Sequence, residues 1–348
     1  MQDVLVIGAG LSGLTAAWRL QEAGLAVTVL EARERTGGRT VSPPGSTVDL
    51  GASWVWDTEA HVHALLRELG VETFPHHRDG LDLYDDGRAL QRGRLPGSHV
   101  KERRLRGGAQ SVTLALAERV RDVHLEQPAR RVTIERAQTG EPSLRVDTDQ
   151  GQRRARHVIA ALPPALLAQR VQLPEVAPDR LALLRRTPTW MADIAKVVAE
   201  YPERFWREDG LSGRAASALG PMMELHDLSG PDGHPPALFG FAPRQLATAG
   251  WRERLVPQLV KLFGPRAASP SALHTKAWWE EEWTFAGQDS GDPRLLGHPT
   301  LREPLLDGRL HLVSTETSGV SPGHMDGAIE RAEHVARQLQ QALAQRPC

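Results

Sequence analysis

The chain has 348 residues, 40% of them apolar and 24% charged, so it is neither disordered nor fibrous and is long enough for two domains. Its 42 basic and 43 acidic residues give a net charge of −1, which argues against a polyanion-binding surface and predicts no nucleic-acid partner. The single cysteine, Cys348, cannot form an internal disulfide or a zinc finger, and the sequence has no run of ~18 apolar residues that would predict a membrane span.

The start of the chain has the pattern of a strand, a glycine-rich turn, a helix and a second strand. Residues 4–7 and 26–30 are apolar runs, typical of strands that are buried on both faces of a parallel sheet. Residues 14–23 between them have helical character and are followed by Gly24. Because the first strand begins at once, there is no room for a secretion signal, and we expect a cytoplasmic protein.

The turn between this strand and helix, residues 8–13, has the pattern G-x-G-x-x-G. Gly8 permits the tight turn, Gly10 lets the backbone approach a pyrophosphate, and Gly13 lets the helix pack on the strand. Glu31 lies 18 residues past Gly13, close to the ~20 expected for an acid that accepts from ribose hydroxyls. A Rossmann-like dinucleotide site, with no choice yet between NAD and FAD, is therefore predicted at Gly8, Ala9, Gly10, Leu11, Ser12, Gly13 and Glu31.

The next segment points to FAD through a family resemblance. Residues 31–40 read E-A-R-E-R-T-G-G-R-T and resemble the E-A-x-x-x-x-G-G-R segment of FAD-dependent amine oxidases and of their desaturase and protoporphyrinogen oxidase relatives. In that superfamily the glycine pair and the arginine approach the cofactor's pyrophosphate, and a guanidinium suits phosphate because it can bind two oxygens at once. The resemblance implies cofactor contacts from Ala32, Arg33, Gly37, Gly38 and Arg39.

Further segments resemble the same family, in the same order, across nearly the whole chain. They are residues 48–54 (D-x-G-A-x-W), 107–111 (ahead of a helix), 157–164 (a strand that ends in Pro-Pro), 277–283 (an aromatic and acidic segment), and 314–317 with 323–328 (similar to G-T-E-T…G-x-M-x-G-A). The resemblance implies that further cofactor contacts come from Gly51, Ala52, Ser53, Trp54, Ala129, Glu316 and Met325.

Local patterns predict additional elements and no metal site. We expect a helix over residues 57–69, capped by Asp57 or Thr58 and ended by Gly70, and the remaining predicted elements are helices 112–120 and 329–342 and strands 131–135, 144–148 and 308–313. His61 and His63 are two residues apart on the predicted helix and do not share a face, and His76 and His77 have no third ligand nearby, so we predict that no metal is bound.

Lys196 lies within an alternating, otherwise apolar run, residues 194–201, that predicts a strand. One interpretation is an edge lysine that prevents pairing with another sheet. The other follows from the resemblance, because this stretch looks like the amine oxidase segment whose lysine holds a water against flavin N5. We predict that Lys196 is the catalytic residue.

The chain departs from the family at three points. Only 50 residues separate Trp56 from Gly107, where typical members insert a helical subdomain, so part of the roof of the substrate domain is expected to be missing. Covalent members attach the flavin through a cysteine after the acidic segment, whereas residues 284–288 contain none, so we expect non-covalent FAD. Gln288 and His324 stand where monoamine oxidases place two tyrosines beside the substrate, which predicts that these residues contact a more polar substrate.

The sequence therefore predicts an α/β protein with a discontinuous, Rossmann-like FAD-binding domain (residues 1–75, 105–165 and 278–348) and a smaller, sheet-based substrate domain (residues 76–104 and 166–277). The resemblance implies a short-form flavin-containing amine oxidase that oxidises the C–N bond of a small-molecule amine by hydride transfer to flavin N5, with molecular oxygen as electron acceptor. Two alternatives stay open. One is a flavoenzyme on a non-amine substrate, such as a desaturase or a reduced-nicotinamide oxidase, and the other is a non-catalytic flavin-binding redox or assembly protein.

Overall fold

The computed structural model describes residues 1–97, 101–136, 141–287 and 291–344, and the structural statements below refer to these residues. Gln288, which was predicted to contact the substrate, lies outside the described residues, as does Cys348. Within the described ranges, no helix is long and apolar enough to cross a membrane.

Helices and strands are interspersed along the described part of the chain. The helices are α1 (Leu11–Glu22), α2 (Ala60–Leu69), α3 (Gln110–Ala117), α4 (Pro164–Arg170), α5 (Pro178–Arg186), α6 (Phe205–Glu208), α7 (Leu255–Phe263) and α8 (Met325–Ala344). The strands are β1 (Gln2–Ile7), β2 (Val27–Leu30), β3 (Val55–Trp56), β4 (Thr73–Pro75), β5 (Leu81–Asp85), β6 (Leu90–Gly93), β7 (Glu102–Leu105), β8 (Val123–His124), β9 (Ala129–Glu135), β10 (Ser143–Thr148), β11 (Gly151–Ala160), β12 (Ile194–Glu200), β13 (Leu211–Ser217), β14 (Glu224–Asp227), β15 (Ala237–Pro243), β16 (Ala272–Ala277) and β17 (Leu310–Leu312).

The first sheet has the order β8-β2-β1-β11-β10-β9, and β17 also pairs with β11. Four pairs in this sheet are parallel, namely β8 with β2, β2 with β1, β1 with β11, and β11 with β17. The long strand β11 pairs antiparallel with β10 over its first half and parallel with β17 over its second half. A parallel sheet that starts with β1, a glycine turn and α1 is the Rossmann-like unit predicted from the sequence, and it confirms the α/β class.

Strand β1 is buried on both faces because its apolar residues alternate between two cores. Val4 and Val6 pack with the apolar faces of α1, α2, α3 and α8. Leu5 and Ile7 pack on the other side with β9, β10, α4 and α5. Helices on both faces of a parallel sheet hold its edge at the carboxyl ends of the strands in a fixed position, which is where ligands bind in this class of fold.

The second sheet has the order β16-β12-β15-β14-β13-β5-β6 and is antiparallel except for the β13–β5 pair. Strand β12 lies between β15 and β16, so Lys196 has Phe241 opposite it on one side and Lys276 on the other. An interior strand has no free edge to protect. The interpretation of Lys196 as an edge lysine is therefore wrong.

All four helices that the sequence predicts begin at a different residue in the structure, and α2 and α8 show one reason. Helix α2 has Glu59 rather than Asp57 or Thr58 at its N-cap position, and the Glu59 side chain does not cap it. Instead, Oδ1 of Asp326 accepts a hydrogen bond from the third N–H of α2, at Val62, over 2.9 Å. Asp326 lies in the first turn of α8, which begins at Met325, four residues before the predicted start. A cap supplied by a distant helix leaves no signal in the local sequence.

The division into domains stays a prediction. The strands of the second sheet lie within residues 81–93 and 194–277, as a separate substrate domain requires. Residues 167–184 were placed with that domain, but their apolar side chains pack into the core of the first sheet together with Leu5 and Ile7. The described residues between Trp56 and Gly107 contain a single helix, α2.

Candidate active site

Residues on or next to strands of the first and second sheets line one cavity of about 440 Å³, and Trp56 of β3 lines it too. Many of the residues predicted to bind the cofactor or the substrate line it, and these are Gly8, Gly10, Leu11, Ser12, Glu31, Arg33, Gly37, Gly38, Arg39, Gly51, Ala52, Ser53, Trp54, Lys196, His324 and Met325. Segments that are more than three hundred residues apart in the sequence therefore meet at one place.

A glycine-lined groove forms one part of this cavity. The N–H of Gly37 donates to the carbonyl of Ala9 over 2.8 Å, which brings the turn at residues 8–13 against the glycine pair at 37 and 38. A Cβ on Gly38 would lie 3.2 Å from Cα of Gly10, and a Cβ on Gly13 would lie 1.9 Å from the carbonyl oxygen of Gly8. Larger residues would therefore fill the groove or push α1 away from β1.

The groove has the properties of an anion site. Helix α1 begins at Leu11, and its N-cap residue Gly10 offers no side-chain cap, so the first N–H groups of the helix are available to a ligand. The positive end of the helix dipole points the same way. The groove thus fits a pyrophosphate on two independent grounds, the shape that the glycines leave and the donors at the start of α1.

Glu31 is buried at the end of β2 and lines the same cavity. Its Oε2 accepts from the N–H of Ala9 over 2.8 Å, and its Oε1 accepts from the N–H of Arg33 over 2.9 Å. The two bonds fix the carboxylate between the glycine turn and the segment after β2. Each carboxylate oxygen can accept more than one hydrogen bond, so both can still accept from a ribose hydroxyl.

The side chains of Arg33 and Arg39 tie the segment after β2 to distant parts of the chain. Nη2 of Arg33 donates to Oγ1 of Thr284 over 2.7 Å. Nη1 and Nη2 of Arg39 donate to the two carboxylate oxygens of Glu316 over 2.6 and 3.1 Å. Burial alone would raise the pKa of Glu316, but the bidentate contact with Arg39 more than offsets it, so this pKa is lowered. Glu316 therefore reaches the cavity through Arg39 rather than lining it.

Lys196 is almost fully buried and projects into the cavity from β12. Its Nζ donates to the carbonyl oxygen of Gly51 over 2.8 Å and to Oγ of Ser53. The same atom lies 4.4 Å from the ring centre of Phe239. Burial lowers the pKa of Lys196 to about 7, which the negative charge of Asp49 partly counteracts.

Asp49 belongs to a charged layer behind Lys196. Its Oδ1 accepts from the N–H of Ala109 over 2.7 Å, and its Oδ2 lies 3.9 Å from Nη2 of Arg104. Burial raises the pKa of Asp49, although Lys196 and Arg104 both act in the opposite direction. Arg104 is itself buried and donates to the carbonyl of Ser229 over 2.7 Å.

An aromatic wall faces the remaining part of the cavity. The His324 ring stacks on Trp56, with ring centres 4.6 Å apart and planes 23° apart, and Trp190 lies 6.4 Å from it on another side. Trp54 and Phe241 continue the wall, with ring centres 6.0 Å apart. Three of these rings, those of Trp56, Trp190 and Phe241, were missed by the sequence analysis. Nothing in the local pattern marks them, because they come from a short strand, a loop and the middle of β15.

Several predicted cofactor residues do not line the cavity. Ala9 and Gly13 act from behind through the backbone contacts given above, and Ala129 is buried at the start of β9 within the core of the first sheet. Ala32 is half-buried beside Glu31 and is absent from the lining. The positions of these four residues therefore do not support the cofactor contacts that were predicted for them.

Comparison with known proteins gives a consistent family. A family model described as "Flavin containing amine oxidoreductase" matches residues 11–99 and 82–340. The probable flavin-containing monoamine oxidase A of Dictyostelium discoideum is 26% identical over 458 aligned positions, which cover 99% of this chain and 98% of that protein. The flavin-containing amine oxidase B of Bos taurus is 28% identical over 462 positions, which cover 99% of this chain and 87% of that protein.

A solved structure shares the fold over the whole chain. Cyclohexylamine oxidase from Brevibacterium oxydans IH-35A superposes with a TM-score of 0.86 at 24% identity, covering 99% of this chain and 100% of that one. The sequence alignments with the Dictyostelium and Bos proteins extend over more positions than the 348 residues of this chain. Those relatives therefore contain segments without a counterpart here, in agreement with the predicted short form.

Proposed function

This chain belongs to the flavin-containing amine oxidoreductase family, and we propose that it binds FAD in the cavity described above and oxidises the carbon–nitrogen bond of a small-molecule amine. The observation that carries the proposal is the meeting of two environments in one cavity. The groove at Gly10 and Gly38 suits a pyrophosphate, and the buried Lys196 beside an aromatic wall suits a reacting centre that excludes water.

We assign the binding of FAD to three groups of residues. The backbone of residues 8–13 and 37–39 would hold the pyrophosphate, because there a Cβ would close the groove and α1 has uncapped donors. Glu31 would accept from the ribose hydroxyls. Residues 51–54 and Met325 would lie along the remainder of the cofactor. Since the single cysteine is the last residue, a thioether link is not expected, and FAD would be held non-covalently.

When bound, FAD supplies two-electron acceptance and returns those electrons to molecular oxygen. The protein contributes orientation and proton handling. With a pKa of about 7, Lys196 is present in both its amine and its ammonium form near neutral pH. A group that gains and loses a proton in this range is suited to hold a water and to exchange a proton with it. We therefore assign that role to Lys196.

The substrate side of the cavity supports an amine. The faces of Trp56, Trp190 and Phe241 attract a cation through their ring quadrupoles. His324 adds a polar group to this wall, and Gln288 is assigned to it from the sequence alone. We propose a small amine that is more polar than an arylalkylamine. The cytoplasmic location and the lack of a nucleic-acid partner stay predictions from the sequence.

An anaerobic screen tests the proposal. The FAD-loaded protein is mixed, without oxygen, with amines, amino acids, polyamines and reduced nicotinamides, and the flavin absorbance is followed. Bleaching by an amine, followed by recovery and peroxide formation when oxygen is admitted, is the expected result. Bleaching by reduced nicotinamides alone would favour a different flavoenzyme, and intact FAD binding without any bleaching would favour a non-catalytic protein.

A further inference from the structure

Glu59 is a buried carboxylate shared by two members of the aromatic wall. It lies directly before α2 and is 4% exposed. Its Oε1 lies 2.7 Å from Nδ1 of His324, and its Oε2 accepts from the N–H of Trp56 over 3.0 Å. His324 and Trp56 line the cavity, whereas Glu59 lies behind them. No motif in the sequence singles out Glu59.

The His324 ring is held in one orientation by its surroundings. Trp56 stacks on one face, and Trp190 packs over the neighbouring Gly323, where a Cβ would lie 2.6 Å from the indole. A carboxylate can only accept a hydrogen bond, so the 2.7 Å contact requires a proton on Nδ1. The Nδ1–H group then donates to Glu59. The side chain of His324 is 35% exposed. In this tautomer Nε2 is the nitrogen that is left for the cavity.

Three other titratable groups near His324, those of Asp326, Glu316 and His63, have partners of their own. Asp326 bonds to the N–H of Val62 and to Ser321, and Glu316 bonds to Arg39 behind Trp190. His63, on α2, contacts the carbonyl of Trp56 over 3.0 Å. Among the described residues, the acidic side chain seen in contact with the His324 ring is therefore that of Glu59.

We propose that Glu59 holds His324 as the proton acceptor for the ammonium form of the substrate. This inference rests on the proposed function, because it concerns the amine that is oxidised there. One proton moves from the substrate nitrogen to Nε2 of His324, which becomes an imidazolium paired with Glu59, and the substrate is left as a neutral amine. No electron is transferred in this step. The nitrogen gains the lone pair that it needs to form a C=N bond.

Three features of the site make the transfer feasible. In water the pKa of an alkylammonium (~10.4) lies about four units above that of an imidazolium (~6.5). Contact with a carboxylate stabilises the imidazolium, and removal from water destabilises the ammonium, each by about one to three units. The two tryptophan faces bring the cation to the wall before it loses its proton. The site therefore selects alkylamines whose ammonium form carries a proton, and a quaternary ammonium ion has no proton to give.

The experiment follows the protonation of His324 in the oxidised, FAD-loaded protein by NMR with ¹⁵N-labelled histidine. The His324 signals are identified by their loss in His324→Gln. The probe is tert-butylamine, which has no hydrogen on the carbon beside nitrogen and cannot be oxidised to an imine. At pH 8, bound tert-butylamine should convert His324 from the Nδ1-protonated ring to the imidazolium, whereas tetramethylammonium should not.

Two variants separate a positioning role of Glu59 from a general effect of charge. Glu59→Gln should abolish the proton uptake that tert-butylamine causes at His324. Glu68→Gln makes the same change near the other end of α2, at a carboxylate that contacts Arg19 rather than His324, and should behave as the wild type.

The outcome is independent of turnover. If the flavin absorbance shows that tert-butylamine is bound while His324 stays neutral, the proposal is overturned even where other amines are oxidised. A wild-type ring that carries its proton on Nε2 before any amine is added would also overturn it. If no amine bleaches the flavin in the anaerobic screen while His324 still takes up the proton, the proposed function is refuted, but the role of His324 as proton acceptor is supported.

Discussion

Replacement of Glu31 by alanine should weaken FAD binding and also lower the free energy of unfolding of the apoprotein. The carboxylate is assigned to the ribose hydroxyls, and one hydrogen bond to a charged group contributes ~1.5–3 kcal/mol. At 1.4 kcal/mol per factor of ten, Glu31→Ala should raise the Kd for FAD about 10–150-fold. The same change leaves the buried N–H of Ala9 without its acceptor, at a cost of about 1–3 kcal/mol in the free energy of unfolding.

Two measurements separate these effects. Quenching of FAD fluorescence gives the Kd, and urea unfolding of the apoprotein gives the free energy of unfolding. Glu31→Gln keeps one acceptor oxygen without the charge and should fall between the wild type and Glu31→Ala in both. Glu34→Ala, an exposed change in the same segment, serves as the control and should alter neither. An unchanged Kd in a Glu31→Ala protein that has lost stability would show that the carboxylate orders the backbone and does not contact FAD.

The remaining predictions concern the cofactor link, two parts of the cavity and one buried histidine. Acid precipitation should release FAD into the supernatant, and yellow colour in the pellet would reveal a covalent link. Lys196→Met should keep the fold and FAD but slow reoxidation by oxygen in stopped-flow traces, whereas Lys261→Met, a half-exposed lysine on α7, should not. Benzylamine should be a poor substrate whose kcat/KM improves when Gln288 becomes tyrosine and His324 is kept, and efficient wild-type turnover would contradict this. Burial lowers the pKa of His311 to about 3. Below pH ~6.5 the unfolded chain therefore binds a proton at this residue that the folded chain does not bind. As a result, the free energy of unfolding should fall by about 2 kcal/mol between pH 7.5 and pH 5. His311→Asn should remove that share of the pH dependence in urea titrations, and an unchanged slope would contradict the assignment.

The cofactor half of the site was predictable because its signals are local. Three glycines and an acid at fixed spacing need the same backbone conformation wherever they occur, and the structure places Gly10, Gly38 and Glu31 along one groove. The strand that carries Lys196 was also predictable from its alternation. Its position inside the second sheet was not, because strand order depends on which strands pair, and a single sequence contains no record of pairing.

The substrate half was less predictable for a physical reason. Its wall is assembled from rings on separate elements, and a tryptophan at the end of β3 or in the loop before β12 has no spacing that distinguishes it from a packing residue. Glu59 was missed because the local rules assigned the start of α2 to Asp57 or Thr58. Since Asp326 caps α2 from another helix, the Glu59 carboxylate is free to bond to His324 and Trp56 instead.

The properties of Lys196 follow from groups that the cavity never exposes. Burial lowers its pKa, Asp49 raises it, and Arg104 lowers it again, so the value near 7 reflects a balance among three contributions. Asp49 is in turn fixed by the N–H of Ala109, at the start of α3, and Arg104 by the carbonyl of Ser229, next to β14. The charge state of the amine thus depends on how the loop that carries Asp49 and strand β7, which carries Arg104, are held beside the second sheet. A change that shifted either of them would alter the proton affinity of Lys196 without touching any residue that lines the cavity.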